Sequence, residues 1–366
     1  MRTVGVEEEL WVVDPATRCG VARADDVLRA AGGSAEKELF RHQVEIMSRP
    51  STAVDEVVAQ LHHERTTALH GADRVGLSLV ASPVVVQKAA ADDDRRVSDD
   101  DRYRDMVERF GAVTEDAGTC GMHVHVGIAD PDEGVRVIDR IAPWLPVVLA
   151  LSASSPFAHG RDTGYASWRS ELWSHWPSAG PTVPFGDAAS YRAVAQALVA
   201  SGAARDEHML YFDARLARDY PTVEVRVADV MADLDDVRAV VALVRGLVEA
   251  AAHGALPAAT WRVELLRAAR WRAARHGLHG RLLHPCRPGA EPVGAAAVLE
   301  DLLACCSPYL DEAGDLALVE DGVQRLLGAT GAVRQRAVHS RSGSLDDVVD
   351  DLRRRTAAPP SGSAQR

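Results

Sequence analysis

Four short segments of this sequence alternate apolar side chains with ionisable ones, and this alternation is the strongest constraint on its fold. In GMHVHV, residues 121–126, the methionine and the valines fall on one side of an extended strand, whereas His123 and His125 fall on the other. In PTVEVRV, Glu224 and Arg226 oppose three valines in the same way. One such strand alone is typical of an ordinary solvated sheet face.

The other two segments repeat the pattern with carboxylates. In TVGVEEEL, Glu7 and Glu9 share a face, and Glu8 points the other way. In HQVEIMS, Gln43 and Glu45 share the polar face. Solvated faces usually include lysine, and these four contain none. The sequence therefore predicts strands with one face for packing helices and one face rich in carboxylates.

Length and charge restrict the class of protein. A chain of 366 residues with 47% hydrophobic content can bury a large core in one or two domains. Its net charge of -12 disfavours nucleic acid and anionic membranes as partners. The five cysteines form no CxxC, and no signal peptide or 18-residue apolar run is evident. We expect a cytoplasmic protein.

The order of elements favours an α+β fold. Strand patterns occur at 3–13, 38–48, 77–82, 120–128, 208–216 and 221–230, and helical patterns occur at 51–76, 131–154, 188–202 and from about 230 to 355. Several strands follow one another without a helix, which favours a mixed or antiparallel sheet with helices on one side. We expect one domain over 1–355 and a disordered tail over 356–366. Residues 89–102 show neither a helical nor a strand period, which predicts either a solvated loop over or beside a site or a disordered segment.

The polar faces predict a metal site. If Glu7, Glu9, Glu45 and Glu224 converge, their repulsion requires cations, and oxygen ligands with an imidazole suit Mg²⁺ or Mn²⁺. Zinc fits less well, since there is no cysteine pair and no HExxH. Carboxylate-bound Mg²⁺ commonly holds nucleotide phosphates. The sequence has no P-loop and no GxGxxG after a strand, so a nucleotide would be bound by another kind of site.

Arginines provide candidate anion contacts. Arg226 lies on the polar face, and Arg161 and Arg169 lie in the aromatic-rich segment GRDTGYASWRS. Each could neutralise a transferring phosphoryl group, grip a substrate carboxylate, or form a surface ion pair.

These segments resemble the type 2 glutamate–cysteine ligase family of bacterial carboxylate-amine ligases, whose fold is similar to that of glutamine synthetase. The similar segments run in order along nearly the whole chain: GVEEEL (5–10), ELFRHQVEI (38–46), CGMHVHVGI (120–128), WLPVVLALSASSPF (144–157), GRDTGYASWRSELWSHWPSAGP (160–181), YPTVEVRVADV (220–230) and GAVRQRA (331–337).

The resemblance implies a curved, mainly antiparallel sheet with helices on its outer face and with ATP and two or more Mg²⁺ ions on its concave floor. It implies metal ligands at Glu7, Glu9, Glu45, His123 and Glu224, phosphate or substrate contacts at Arg161, Arg169 and Arg226, and a nucleotide contact or a ligand's partner at His125. The implied reaction joins a carboxylate, by default the γ-carboxylate of glutamate, to an amine, by default that of cysteine, through an acyl phosphate.

Other observations leave the substrates open. The chain departs from the family pattern at SPVVVQKAAADDD, which begins at Ser82, and at Ala158, Phe212 and Leu216, positions that we expect to lie in loops over the substrate. Two alternatives are a phosphotransferase of the same fold and a nucleotide-binding protein without ligase turnover. The sequence leaves the oligomeric state open, a homodimer included.

Overall fold

The structure is a computed structural model that describes residues 1–33, 35–87, 97–115, 118–257, 261–287, 289 and 291–361. Its strands are β1 (Val4–Val13), β2 (Glu36–Lys37), β3 (Gln43–Met47), β4 (Ser78–Val80), β5 (Gly121–Gly127), β6 (Phe157–Ala158), β7 (Arg161–Asp162), β8 (Ala214–Leu216), β9 (Thr222–Asp229), β10 (Arg281–Leu283) and β11 (Pro292–Gly294).

The α-helices include the long central helix α9 and a C-terminal series. They are α1 (Ala24–Ala31), α2 (Val54–Arg74), α3 (Asp101–Phe110), α4 (Ala112–Glu115), α5 (Pro131–Ile141), α6 (Leu145–Ser152), α7 (Trp168–Trp173), α8 (Ala188–Ala200), α9 (Leu234–Ala252), α10 (Val263–His276), α11 (Ala295–Glu312), α12 (Leu316–Gly328), α13 (Gly331–Ser342) and α14 (Leu345–Ala357). Among the residues described, no helix combines the length and the hydropathy needed to cross a membrane.

The main sheet is antiparallel. Its strand order is β2-β3-β1-β5-β9-β8, and β4 pairs with the end of β1. The apolar side chains of β1, β3, β5 and β9 are buried, and α9 contacts β1 and β5. Each buried valine or isoleucine stabilises the fold by about 1.5–3 kcal/mol. This arrangement confirms the predicted α+β class, with helices packed on one face of the sheet.

One charge lies on the apolar face. Glu8 is fully buried, and Arg65 of α2 donates to both of its carboxylate oxygens at 2.8 and 2.7 Å. The same guanidinium donates to the carbonyls of Met231 and Ala232 at 2.7 and 2.9 Å. Every charged atom of this pair therefore has a partner, and the pair joins β1, α2 and the segment after β9.

Several predicted elements differ in extent. Only residues 43–47 of the predicted strand 38–48 form a strand, β3; a turn over 39–42 precedes it, and the short strand β2 lies before that turn. The predicted helix 131–154 divides into α5 and α6, because Pro143 and Pro146 interrupt its hydrogen bonding. The predicted helical region after 230 contains the β10-β11 hairpin.

Two predicted segments lie only partly within the described residues. Residues 89–96 of the predicted loop lie outside them, and the loop prediction is wrong from Asp101 onward, where α3 begins after Asp100 accepts a hydrogen bond from the backbone N–H of Arg102. The helix α14 continues to Ala357, two residues past the predicted domain boundary, and 362–366 lie outside the described residues.

We predict that Arg65→Met lowers the free energy of unfolding by about 3–5 kcal/mol, because it leaves Glu8 buried without a partner. The double variant Glu8→Leu, Arg65→Met should recover most of this loss. Urea denaturation measures both effects. Arg262→Met is the matched control, since Arg262 and Glu264 form an exposed pair, and it should change the free energy by less than about 0.5 kcal/mol. A single variant as stable as the double one would contradict the prediction.

Candidate active site

An open cavity of about 500 Å³ lies on the polar face of the sheet. Its floor contains the ionisable side chains of β1, β3, β5 and β9, and its walls come from α3, α7 and the segment 206–220. The residues that line it include Glu7, Glu9, Glu36, Glu38, Gln43, Glu45, Arg102, Tyr103, His123, His125, Trp173, Trp176, His208, Tyr211, Arg215, Glu224 and Arg226.

Antiparallel pairing brings the predicted floor residues together. The register places three ionisable pairs on neighbouring strands: Glu7 with His123, Glu9 with Glu45, and His125 with Glu224. The pairing of β5 with β9 shifts between Met122 and Val124. Side chains directly opposite each other in a sheet lie within contact distance, so the ionisable residues of the separate strands form one cluster.

Two groups on this floor have the geometry to hold cations. One consists of Glu7, His123 and Glu224, and the other of Glu9, Glu45 and His123; within each group the ligand atoms lie within 4.8 Å of one another. Both groups share His123, whose buried Nε2 has no hydrogen-bond partner among the described residues. Carboxylate oxygens with one imidazole suit Mg²⁺ or Mn²⁺.

Two histidines hold Glu7. Nδ1 of His123 lies 3.2 Å from one carboxylate oxygen, and Nε2 of His125 lies 3.2 Å from the other. Nδ1 of His125 is 3.0 Å from the hydroxyl of Thr222. Burial acts to raise the pKa of Glu7, but the hydrogen bonds from His123 and His125 outweigh it and hold that pKa below its usual range.

The carboxylates on the β3 side lack such partners. Burial, with the charge of Glu38 as the next cause, raises the pKa of Glu9 to about 8. Burial and the charges of Glu38, Glu7 and Glu9 raise the pKa of Glu45 well above its usual value, and burial likewise raises the pKa of Glu38. Burial and like charges therefore disfavour the ionised form of these carboxylates, and a bound cation would favour it.

Glu224 is the opposite case, since two arginines neutralise it. Arg226 donates to one of its oxygens, and Arg215 of β8 donates to both at 2.6 and 3.2 Å. Burial acts to raise the pKa of Glu224, but Arg226 and Arg215 lower it below the usual range. Arg215 also donates to the carbonyls of His208 and Leu210 at 2.7 and 3.1 Å, so it fixes the cavity wall relative to the floor.

Arg169 is buried beside the floor. It is not among the residues that line the cavity, and its Nη2 is 3.5 Å from the backbone oxygen of Arg226. Its guanidinium lies 5.5 Å from the ring centre of Trp173, a wall residue. It also covers Gly121, where a β-carbon would come within 2.2 Å of Nη2. Arg169 therefore supports the floor and wall, and its contact with a phosphate or substrate stays a prediction.

Arg161 lies outside the cavity. It is an exposed residue of the β6-β7 hairpin, where it pairs with Ala158, and it is not a lining residue of the cavity. Loop residues have no period from which to predict a side chain's direction, so no sequence pattern separates Arg161 from Arg169.

The described positions that depart from the family pattern do not line the cavity. These are Ser82, Ala158, Phe212 and Leu216. Phe212, for example, is buried against the rings of Phe185 and Tyr191. Residues 88–94 of the departing segment lie outside the described residues, and a position over the substrate stays a prediction.

Several lining residues were missed. Glu38 is one. A continuous strand over 38–48 would place its side chain on the other face of the sheet from Glu45, whereas the turn over 39–42 brings it to the same face. The pairing of Glu36 with Glu45 across β2 and β3 shows this return. The turn contains Arg41 and His42, which are not typical turn residues, so no sequence signal marks it. Arg215 is another. It and Leu216 point to opposite faces of the sheet as alternation requires, but their strand has only three residues, too few for a periodic pattern in the sequence.

A second cavity of about 480 Å³ adjoins the first and shares Glu7, Met47, His125 and Tyr220 with it. The remaining lining is mostly apolar or backbone and includes Gly5, Val6, Pro50, Ile128 and Pro221. The two cavities therefore form one site with a charged part and an apolar part.

Solved structures resemble this fold. A glutamate–cysteine ligase of Francisella tularensis, crystallised in complex with AMP, superposes with a TM-score of 0.71 at 13% identity over 97% of this chain and 88% of its own. A bifunctional glutathione synthetase of Pasteurella multocida gives a TM-score of 0.70 at 14% identity, over 97% of this chain and 52% of its own. At these identities the likeness shows the fold.

The sequence itself matches the family described as Glutamate-cysteine ligase family 2 (GCS2) over residues 3–351. The match defines an enzyme of the ATP-dependent ligase class. Two relatives are "Putative glutamate--cysteine ligase 2-1" of Nocardioides sp., 47% identical over 98% of this chain and 97% of its own, and "Putative glutamate--cysteine ligase 2" of Streptomyces coelicolor, 43% identical over 98% and 100%. The chain belongs to glutamate-cysteine ligase family 2, as its segments predicted.

We predict that Gly121→Ala lowers ligase activity at least about tenfold, because the new methyl group displaces the buried Arg169 guanidinium that supports Trp173 and Arg226. The free energy of unfolding should fall only slightly, since the displaced atoms are the end of a long side chain. Gly328→Ala is the control, because a β-carbon there meets nothing within 4 Å. Full activity of Gly121→Ala would show that Arg169 does not position the site.

Proposed function

We propose that this enzyme joins the γ-carboxylate of L-glutamate to the amino group of L-cysteine, using ATP and Mg²⁺, to give γ-glutamylcysteine, ADP and phosphate. The main support is the pair of cation-holding groups that share His123, next to an apolar cavity large enough for a nucleotide base. Residues 1–355 would form one catalytic domain in a reducing cytoplasm, with small molecules rather than nucleic acid or membrane as partners.

The residues present fit divalent cations. Glu7, Glu9, Glu45, His123 and Glu224 would hold Mg²⁺, with Mn²⁺ as an alternative, and the orphaned Nε2 of His123 is a free ligand atom. When bound, the ions neutralise the phosphate oxygens of the nucleotide and orient the γ-phosphate. Glu38 is a further carboxylate close to these ligands, since its charge contributes to the raised pKa values of Glu9 and Glu45.

The nucleotide would span both cavities. Its base fits the apolar part, where Tyr220 is 59% exposed and offers a ring face. The ring of Tyr220 lies 6.1 Å from that of His125, which borders both cavities. His125 and Arg226 then lie between the base and the carboxylate floor, where they can contact phosphate oxygens.

The proposed chemistry has two steps. A carboxylate oxygen of the acid attacks the γ-phosphorus, and the bond from that phosphorus to ADP breaks. The amine nitrogen then attacks the acyl carbon, loses a proton, and expels phosphate with the electrons of the C–O bond. Arg226 would stabilise the charge on the transferring oxygens, and the aromatic wall would limit access of water to the acyl phosphate.

The test is phosphate release with ATP and Mg²⁺ against a panel of amino acids, singly and in pairs, with mass spectrometry of the products. Release that requires glutamate and cysteine and yields their dipeptide supports the proposal. A different productive pair would replace the substrates. A phosphorylated single substrate would indicate a phosphotransferase, and ATP binding without turnover with any pair would indicate a binding protein.

We predict that Glu224→Gln abolishes Mg²⁺-dependent turnover and weakens Mn²⁺ binding, as measured by electron paramagnetic resonance, about tenfold or more, because an amide is a poorer ligand for a hard cation. Circular dichroism should show a folded protein. Glu264→Gln is a comparison variant, since Glu264 forms an exposed pair with Arg262 and lines neither cavity, and its Mn²⁺ binding should match the wild type. Unchanged Mn²⁺ affinity in Glu224→Gln would remove Glu224 from the ligand set.

We predict that Arg226→Lys lowers kcat by about 10²-fold or more with a smaller change in the KM for ATP, because an ammonium cannot reproduce the planar guanidinium. That guanidinium contacts Glu224 and lies 5.9 and 5.8 Å from the ring centres of Trp173 and Tyr211. Steady-state kinetics measures this change. Kinetics close to those of the wild type would indicate that Arg226 is a structural ion-pair partner only.

A further inference from the structure

Two buried polar groups line the charged cavity but belong to neither cation-holding group. They are the hydroxyl of Thr119, a residue that is 3% exposed, and the indole N–H of Trp176, which is 2% exposed. Neither has a hydrogen-bond partner in the part of the chain that the structure describes. Buried polar groups of native proteins are nearly always satisfied, so each needs an explanation.

The surroundings hold both groups in place. The backbone oxygen of Thr119 accepts a hydrogen bond of 2.8 Å from the side chain of Gln43, which anchors the residue to β3. The ring of Trp176 is packed edge-on between Phe110 and Tyr211, with both ring centres 5.4 Å away. Rotation of the Trp176 ring would disrupt its contacts, whereas the bond from Gln43 fixes the backbone of Thr119 and not its hydroxyl. Both residues border the cavity, so a partner that the described residues do not supply would come from that side.

The chemistry of that partner follows from the donors. An indole N–H can only donate, and a hydroxyl can donate as well, so the partner is a hydrogen-bond acceptor. Cations for an anion are present beside the carboxylates, since four arginines line the same cavity, namely Arg102, Arg215, Arg218 and Arg226. The guanidinium of Arg226 lies 5.9 Å from the ring centre of Trp173 in the same wall. A carboxylate is the acceptor that an amino-acid substrate offers in addition to its reacting group.

We propose that Thr119 and Trp176 bind the α-carboxylate of an amino-acid substrate and so select amino acids over simple acids or amines. This inference rests on the proposed ligase function. The carboxylate belongs either to the acid that is activated or to the amino acid that supplies the amine, and both sources share the same recognition chemistry. The cost of leaving two buried donors unpaired would exclude analogues that lack the carboxylate.

The test uses Thr119→Val, which removes the hydroxyl at nearly constant shape, and Trp176→Phe, which removes the N–H but keeps an aromatic ring. Steady-state kinetics gives KM for glutamate and for 4-aminobutyrate in one arm, and for cysteine and for cysteamine in the other. In the arm that contains the bound carboxylate, each variant should raise KM for the amino acid about tenfold and leave KM for the decarboxylated analogue unchanged. KM for ATP should stay the same.

Two further variants separate recognition from structure. Thr119→Ser keeps the hydroxyl and should keep the wild-type KM. Trp11→Phe removes another buried indole N–H without a partner among the described residues, but Trp11 does not line the cavity, so its KM values should not change. Equal increases in KM for the amino acid and its analogue, or no increase in either arm, would overturn the assignment.

A calorimetric version does not depend on turnover. Glutamate and cysteine are titrated separately into the wild-type protein and the two variants with Mg²⁺ and a non-hydrolysable ATP analogue. Affinity that falls about tenfold in both variants for one amino acid supports the carboxylate site even if no ligase product forms. Equal affinity in wild type and variants overturns it, whereas absence of product in the kinetic assay bears on the proposed reaction alone.

Discussion

Repulsion among carboxylates on one sheet face is the constraint on which this structure depends. Glu7, Glu9, Glu45 and Glu224 lie on neighbouring strands, and water is largely excluded from them by the cavity walls. The protein compensates this repulsion at two of the four carboxylates. Histidines hydrogen-bond to Glu7 and arginines neutralise Glu224, whereas Glu9 and Glu45 have raised pKa values and no cationic side chain bonded to them among the described residues. An added cation would therefore relieve the most repulsion beside Glu9 and Glu45.

The cation-holding groups were predictable because two periodic rules coincide. Successive side chains of a strand point to alternate faces of the sheet, and antiparallel pairing places the side chains of neighbouring strands beside each other on the same face. The alternation in β1, β3, β5 and β9 therefore predicted which side chains share the floor, and Glu7, His123 and Glu224 now lie within 4.8 Å of one another. No long-range information was needed beyond the assumption that these strands lie in one sheet.

Residues outside regular strands were not predictable in this way. Glu38 returns to the floor because a turn interrupts the alternation, and a sequence pattern does not carry that change of phase. Arg161 and Arg169 are eight residues apart, yet one is exposed on a hairpin and the other is buried beside Gly121. The partners of Trp176, namely Phe110 and Tyr211, come from distant parts of the chain, so only the folded structure shows the aromatic wall.

The buried pair of Glu8 and Arg65 restricts insertions and deletions in β1. Three consecutive glutamates perform two incompatible tasks, because Glu7 and Glu9 face the cavity while Glu8 holds α2 through the apolar core. A strand that gained or lost one residue here would exchange those tasks, burying two carboxylates against apolar side chains and removing both from the floor. Substitutions in neighbouring loops can accumulate, but β1 must keep its length.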